Sequence, residues 1–504
     1  MIDDSMDQQG SDNVALGDVV PDHVVRSGQL PAMRYHDLPD AIPVRKMLGP
    51  GIILAGMALG SGEFILWPYI TYRSGFVFFW AAILGVAMQY LINMEITRWT
   101  LATGETAVTG FCRLSKWWAP VFLLLNIIPW AVPAWATGAG ELAIWLFWGA
   151  EHHNSQYDTV LAIVGLVTCG VLLTAGPVIY ETVERIQFVL VTLVIVLVLG
   201  LTLFLVSDRT EAVAEMSRSV VTVGSPEYVP DLDAKMLLGA LAFAGAGGTL
   251  NLAQSDYIKE KGYGMGKFIG RLTSPVTGKA EATSEIGFFF PINRANLDRW
   301  QTWWRNASLE HFFSFFVTCL VCLIALTLIT YCLVFHRDGS RQIGEDQFAK
   351  HDLSFIFGEA DVIQGQLGSI ASGTFIVIGI AVLLTTEIGI LDATSRISTN
   401  IVKTVWLRDQ TSLSESRIYL GFLWATILLG IGLLMTAGSA IKQITVAASM
   451  NGGVMFLYSV VLLYLNTRSL PDVIRPSLWR RLAMSLIVLF FGYFTARAIW
   501  GLFG

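Results

Sequence analysis

The chain has 504 residues, of which 54% are hydrophobic and 14% charged, with a formal net charge of −6. A soluble protein of this length carries nearly twice that share of charge. So little charge, slightly acidic overall, excludes an ordinary soluble globular protein and gives no footing for a nucleic-acid partner.

Residues 1–43 are polar and acidic, with Asp3, Asp4, Asp7, Asp12 and Asp18. They show little periodicity and read as a disordered cytoplasmic tail. The start lacks a basic region and an apolar core, so no signal peptide is expected. Residues 44–504 read as one transmembrane domain. Long stretches such as 76–94, 186–207, 312–335 and 443–466 contain no Asp, Glu, Lys or Arg. Each reaches the ~17–25 residues that cross a bilayer as a helix. Eleven spans are expected, at 47–72, 76–99, 117–148, 158–176, 178–206, 234–258, 309–335, 367–392, 416–438, 441–465 and 478–501. The fold class is an all-α polytopic membrane protein.

Lys and Arg set the orientation. Connections after even-numbered spans hold Arg98, Arg113 and Lys116, then Arg185, then Lys259, Lys261, Lys267, Lys279, Arg294 and Arg305, then Arg396, Lys403 and Arg408, then Arg468, Arg475, Arg480 and Arg481. The opposite connections hold Arg73, and Arg209, Arg218, Arg337 and Arg341 among acids. This places the N-terminus in the cytoplasm and the C-terminus outside, in a plasma or inner membrane. The segment 259–308 is too polar for a span and reads as a solvated basic loop, with "RWQTWWRN" around Trp303 as a possible interfacial anchor.

Two spans carry glycine clusters in corresponding places. Span one has Gly60-Ser61-Gly62-Glu63 and span six has Gly245-Ala246-Gly247-Gly248, five spans apart. That spacing is the mark of a five-plus-five inverted repeat whose first helices are unwound at mid-membrane. Repeat one would cover 47–206 and repeat two 234–465, with an extra helix at 478–501. Gly60, Ser61, Gly62, Gly245, Gly247 and Gly248 are the expected helix-break residues. Irregular backbone at that depth is tolerated where it lines a cavity. Close helix packing through small residues is the competing reading.

Intramembrane carboxylates point to the same region. Glu63 follows the first break, and Glu141 sits inside span three. Glu387 and Asp392, late in span eight, are expected to pair with Arg396. Cys319 and Cys322 make a CxxC pair within an apolar run and read as core packing. None of the seven histidines falls deep in an expected span, and no nucleophile–base pair is apparent, so an enzyme is not expected.

These motifs resemble the NRAMP (natural resistance-associated macrophage protein) family of divalent-metal transporters, which share the LeuT fold. That family opens with Gly-Pro-Gly, then eight residues, then Asp-Pro-Gly-Asn. Here Gly49-Pro50-Gly51 precedes residues 52–59 and then Gly60-Ser61-Gly62-Glu63. "RWTLATGETAV" after span two and "IYETVERIQ" before span five are similar to further family stretches. The departures are specific. The family's metal-binding Asp falls on Gly60 and its Asn on Glu63, so a carboxylate returns three residues later. Its Met falls on Gly247, its proton-linked His on Thr249, and its span-three Asp on Gly138, while the Glu that follows is kept as Glu141.

The resemblance implies alternating access, with spans one, two, six and seven rocking against the rest. The expected cargo is a divalent cation of the Mn²⁺, Fe²⁺ or Mg²⁺ class, carried as substrate with no other cofactor. Glu63 would be the charged ligand. Carbonyls near Gly60, Ala244 and Gly247, and side chains of Thr249 and Asn251, would complete the site. Span ten offers Thr445, Ser449 or Asn451, with Thr445 taken first, and Glu141 would be a proton or water-network residue. "GSGEF" is also similar to the Gly-Ser-Gly-x-Phe break of amino-acid transporters of the same fold group, so a small organic solute is the alternative cargo. The partners expected are this small substrate and the lipid bilayer. The ion, the coupling, the direction of flux and the oligomeric state are left open by the residues.

Overall fold

The computed structural model describes residues 15–149, 156–176, 178–222, 234–273, 286–343, 353–410, 412–434 and 439–500. Among the described residues nine helices are long and apolar enough to cross a membrane. They are spans one (Pro50–Ser74), two (Phe79–Thr103), four (Tyr157–Ala175), five (Ile179–Ser207), seven (Arg294–Val334), eight (Ser369–Val405), nine (Glu415–Leu434), ten (Ala440–Arg468) and eleven (Leu478–Trp500). Spans three and six are each built from two shorter helices, Trp118–Ile127 with Ala134–Trp148, and Ala234–Ala242 with Leu250–Lys261. Short helices also run over Ala107–Leu114, Thr210–Val221 and Ser354–Leu367.

The chain's own residues set these boundaries. Pro50 opens span one, where a missing N–H costs nothing. Gly75, Gly104 and Gly262 follow spans one, two and six at positive φ, the left-handed position that ends helices. Spans one, two and eight are the central ones, buried for 94%, 67% and 72% of their most apolar stretch, against 22% for span eleven. Span eleven therefore lies at the periphery.

Span six is unwound as expected. Phe243 to Thr249 leave the helix, with Gly247 at φ 74° and Gly248 at φ 53°. Span one is not. Leu59–Leu66 stays helical but is wound as a π-helix, closed by the Trp67 N–H donating to the Gly62 carbonyl. Gly60, Ser61 and Gly62 are therefore not break residues. Gly62 lies where any Cβ would collide with the Phe243 carbonyl of span six, so close packing is what this glycine provides. Span three carries an interruption that the sequence reading missed, at Ile128–Pro133.

Two further expectations change. Residues 15–43 are not loose: Val20, Val25, Leu30, Met33 and Leu38 are buried. They form a strap across the N-terminal face. A two-residue strand, β1 (Arg34–Tyr35), pairs in parallel with β2 (Phe288–Phe289). The segment 259–308 is likewise folded, apart from residues 274–285, which lie outside the described set. Its second half is an extension of span seven. Trp303 is buried rather than interfacial and donates to the Pro39 carbonyl of the strap at 2.7 Å, and Asn306 donates to the Ile42 carbonyl at 3.0 Å.

The strap is pinned by one buried ion pair. Arg113 meets Glu105 at 2.5 Å, with both side chains at most 2% exposed. The same guanidinium donates to the Ser27 and Pro31 carbonyls of the strap, and Glu105 accepts from the Gly287 N–H at 3.1 Å. Removing one member of a buried pair strands the other charge at about 3–5 kcal/mol. Arg113→Ala is therefore expected to lower the melting temperature and to open residues 15–43 to trypsin. A strap as protected as in the wild type would refute this account.

Candidate substrate site between spans one, three and six

The π-wound turn of span one and the interruptions of spans three and six meet. Irregular backbone leaves main-chain groups to satisfy at a depth without water, and at spans one and six polar side chains of neighbouring spans take them up. At the span-six break, Gln89 of span two donates to the Ala242 carbonyl at 2.9 Å and accepts from the Gly247 N–H at 3.0 Å and from Asn251 Nδ2 at 3.3 Å. Asn251 also donates to the Tyr458 hydroxyl of span ten at 3.1 Å. Asn451 of span ten packs on Gly248, leaving no space for a Cβ there. Trp130, inside the span-three interruption, donates to Thr249 Oγ1 at 2.8 Å and stacks on Phe243 with ring centres 5.6 Å apart.

At the π-wound turn, Thr386 of span eight accepts from the Gly60 N–H at 3.0 Å and stands 3.2 Å from the Gly56 and Met57 carbonyls. A π-turn carries one extra residue, so a main-chain group falls out of register, and the Thr386 hydroxyl takes it up. Span one is held at its start as well. Glu310 of span seven accepts from the Gly51 N–H at 3.3 Å, a carboxylate at the positive end of a helix.

Glu63 is fully buried, and the only side-chain donor against its carboxylate among the described residues is the weak Cys319 thiol. It does not face the span-six break. It lies beside the Cys319 and Cys322 thiols of span seven. Thr249, Asn251 and Gly247 gather around Gln89 and Asn451, and Ala244 sits against Gly62 and Gly85. Thr445 is not among them; its hydroxyl donates to Ile441 of its own helix, and Asn451 is the span-ten residue at the break. Glu141 accepts from the Ala440 N–H at 3.1 Å, tying span three to the start of span ten.

The other carboxylates sort themselves by depth. Asp392 pairs with Arg396 at 2.8 Å as expected and accepts from the Tyr257 and Tyr419 hydroxyls at 3.0 and 2.8 Å. Arg396 also binds Glu260 of span six. Glu387 takes no part in that network and lies at the Ala136 N–H of span three. His311, near the edge of an expected span, is buried within the protein: it is 1% exposed, contacts Gln254 at 3.3 Å and stacks on Phe315. Gln89 and Thr386 were missed because uncharged polar residues within apolar runs are common; Pro133 was the available signal for the span-three interruption.

A cavity of about 840 Å³ opens on the N-terminal face between spans five and six, lined by Glu184, Lys259, Lys261 and Arg271. It reaches neither Glu63 nor the span-six break. Among the described residues no three His, Cys, Asp or Glu side chains stand close enough to hold a metal ion.

The architecture is LeuT-like. The chain is similar to the manganese transporter of Eremococcus coleocola, with a TM-score of 0.61 over 95% of this chain and 90% of that one, at 13% identity. It is also similar to MhsT, solved with L-phenylalanine, with a TM-score of 0.52 over 88% and 98%, at 15% identity. No family model matches the sequence. An uncharacterised protein of Pasteurella multocida, PM0681, is 30% identical over 104 residues, 20% of this chain and 23% of that protein. The match thus spans about a quarter of that relative's length.

The packing account makes a direct test. Gly62→Ala places a methyl group on the Phe243 carbonyl, whereas Gly200→Ala on span five meets open space. Overpacking of this kind costs about 1–3 kcal/mol. Gly62→Ala should lower the thermal midpoint in detergent and Gly200→Ala should not; equal midpoints would reject the close contact.

Proposed function

We propose that this chain is a secondary-type transporter that moves a divalent metal cation by alternating access. The observation that carries the reading is Glu63. An ionised carboxylate fully buried with only a thiol beside it is not sustainable in a low dielectric; it must meet a cation or a proton. It sits on a π-wound turn, next to the unwound part of span six, in a LeuT-like fold. A cation there would take the Glu63 carboxylate together with main-chain carbonyls of its own π-wound turn near Gly60, whereas Ala244 and Gly247 lie at the span-six break, which Glu63 does not face. No ready cluster of three acidic or soft ligands surrounds it among the described residues. That favours an ion content with one carboxylate and retained water, as Mg²⁺ is and as a soft transition metal is not. Cys319 and Cys322 are the only thiols placed to add soft character among the described residues.

A second reading has its own observation. Trp130, Trp135 and Phe243 make an aromatic wall beside the free amide oxygens of Asn251 and Asn451. That lining suits a small organic solute such as an amino acid, with Glu63 then carrying a proton.

Flux of Mg²⁺ and Mn²⁺ into proteoliposomes separates the two. For a metal cargo, Glu63→Gln should cut flux at least about tenfold, the loss of one charge contact worth ~1.4 kcal/mol. Undiminished metal flux in Glu63→Gln would remove Glu63 as a ligand. Thermal stabilisation by an amino acid and by no metal would move the assignment to the organic solute.

A further inference from the structure

One buried carboxylate has no part in that site. Glu387 follows Thr386 on span eight, and the two side chains serve different neighbours. Thr386 holds the π-wound turn of span one through the Gly60 N–H. Glu387 lies against the Ala136 N–H, in the first turn of the Ala134–Trp148 helix. The first amides of a helix have no partner within it, and Pro133 before this one supplies no side-chain cap. Glu387 is 3% exposed, and its Oε2 has no hydrogen-bond partner.

The surroundings offer no countercharge. Span four contributes the Cys169 thiol, which donates to the Leu384 carbonyl at 3.8 Å. Span five contributes the neutral Gln187, donating to the Thr385 carbonyl at 3.0 Å. The next acid on span three, Glu141, is bonded to Ala440, and Glu63 of span one faces span seven. On span eight itself, Asp392 is taken by Arg396. Among the described residues no Lys, Arg or His stands against Glu387.

We infer that Glu387 is a proton-binding site of this protein, and that Thr386 links it to the turn of span one that carries Glu63. A proton from water adds to Oε2, the carboxylate becomes a neutral acid, and Oε1 goes on accepting from Ala136. Without the proton, the charge is held by a single N–H and the partial positive end of the span-three helix, about half a charge. With it, that attraction is lost and the new O–H needs an acceptor. The position of span eight against span three therefore depends on the proton. Thr386, one residue away on the same helix, carries any such shift to Gly60. A proton is the fitting ligand because one carboxylate and one thiol are too few donors for a metal ion.

The proton site stands on its own; the linkage rests on the transporter reading, and two measurements separate them. Infrared difference spectra of the full chain in nanodiscs, between acidic and alkaline buffer, report the carbonyl stretch of each protonated carboxyl group. A component of that signal should be absent from Glu387→Gln and present in Glu63→Gln. An unchanged spectrum in Glu387→Gln overturns the proton site. Glu387→Asp, which keeps the acid on a shorter arm, should shift the component, and serves if the Gln variant does not fold. In proteoliposomes, an acid-outside gradient should accelerate flux of the cargo in the wild type, and in Glu387→Gln the ratio of flux with and without the gradient should fall to unity. A ratio equal to that of the wild type overturns the linkage. Absence of any flux in the wild type would count against the transporter reading, and the infrared result would still decide the proton site.

Discussion

Backbone polarity at depth is the constraint on which this structure depends. A peptide group without a partner costs several kcal/mol in a medium that lacks water. The chain nonetheless interrupts three helices near the middle of the bundle. Gln89 and Thr386 act on spans six and one from neighbouring spans, and Trp130 of span three bonds the span-six Thr249. Gln89 alone stands in for three groups at the span-six break. The interruptions are therefore built by tertiary packing, and the glycines make room for the approach. Gly62 against Phe243 and Gly248 against Asn451 show the same principle from both sides of the site.

Charge is distributed by a related rule. On the N-terminal face, buried charges come in closed sets: Glu105 with Arg113, Glu95 with Arg98 and Arg480, and Asp392 and Glu260 with Arg396. Each set fastens segments distant in sequence. The Arg396 set joins spans six and eight, and the Arg113 set joins the strap to the span two–three connection. At mid-depth the pattern changes. Glu63 is enclosed without a countercharge, with only the Cys319 thiol against it, on a segment whose winding is irregular. Saturated pairs hold a structure together, whereas a buried lone acid is costly unless something arrives to neutralise it. That contrast separates the architectural charges from the candidate functional ones.

Much of the fold was legible in the residues. The absence of charge over ~20-residue windows located the nine long apolar helices seen among the described residues, because crossing hydrocarbon imposes that pattern on any helix. The glycine cluster at 245–248 does mark a helix break, whereas the one at 60–62 does not. Legibility failed where the deciding partner was remote. The unwinding expected at Gly60–Gly62 became a π-turn because Thr386, more than three hundred residues away in sequence, accepts the displaced N–H. The strap looked loose because its buried apolar residues, Val20, Val25, Leu30 and Leu38, are spaced without helical or strand periodicity; its main chain is held by Arg113 and by Asn296, Trp303 and Asn306 of span seven. Thr445 and Asn451 share a helix, and only the rotation of span ten against span six puts one at the break and turns the other back on its own carbonyls.

The sequence by itself determined a helical membrane protein and the positions of most of its long apolar helices, and it singled out residues 60–63 and 245–248 as candidates. These follow from local properties: hydropathy over a helix length, and the conformational range and small size of glycine. The tertiary structure alone decided how each interruption is made, that span three carries one, and that Glu63 faces Cys319 and Cys322 instead of the opposite break. Hydrogen-bond partners and the rotation of one helix against another are set by packing between distant segments, and no local pattern encodes them.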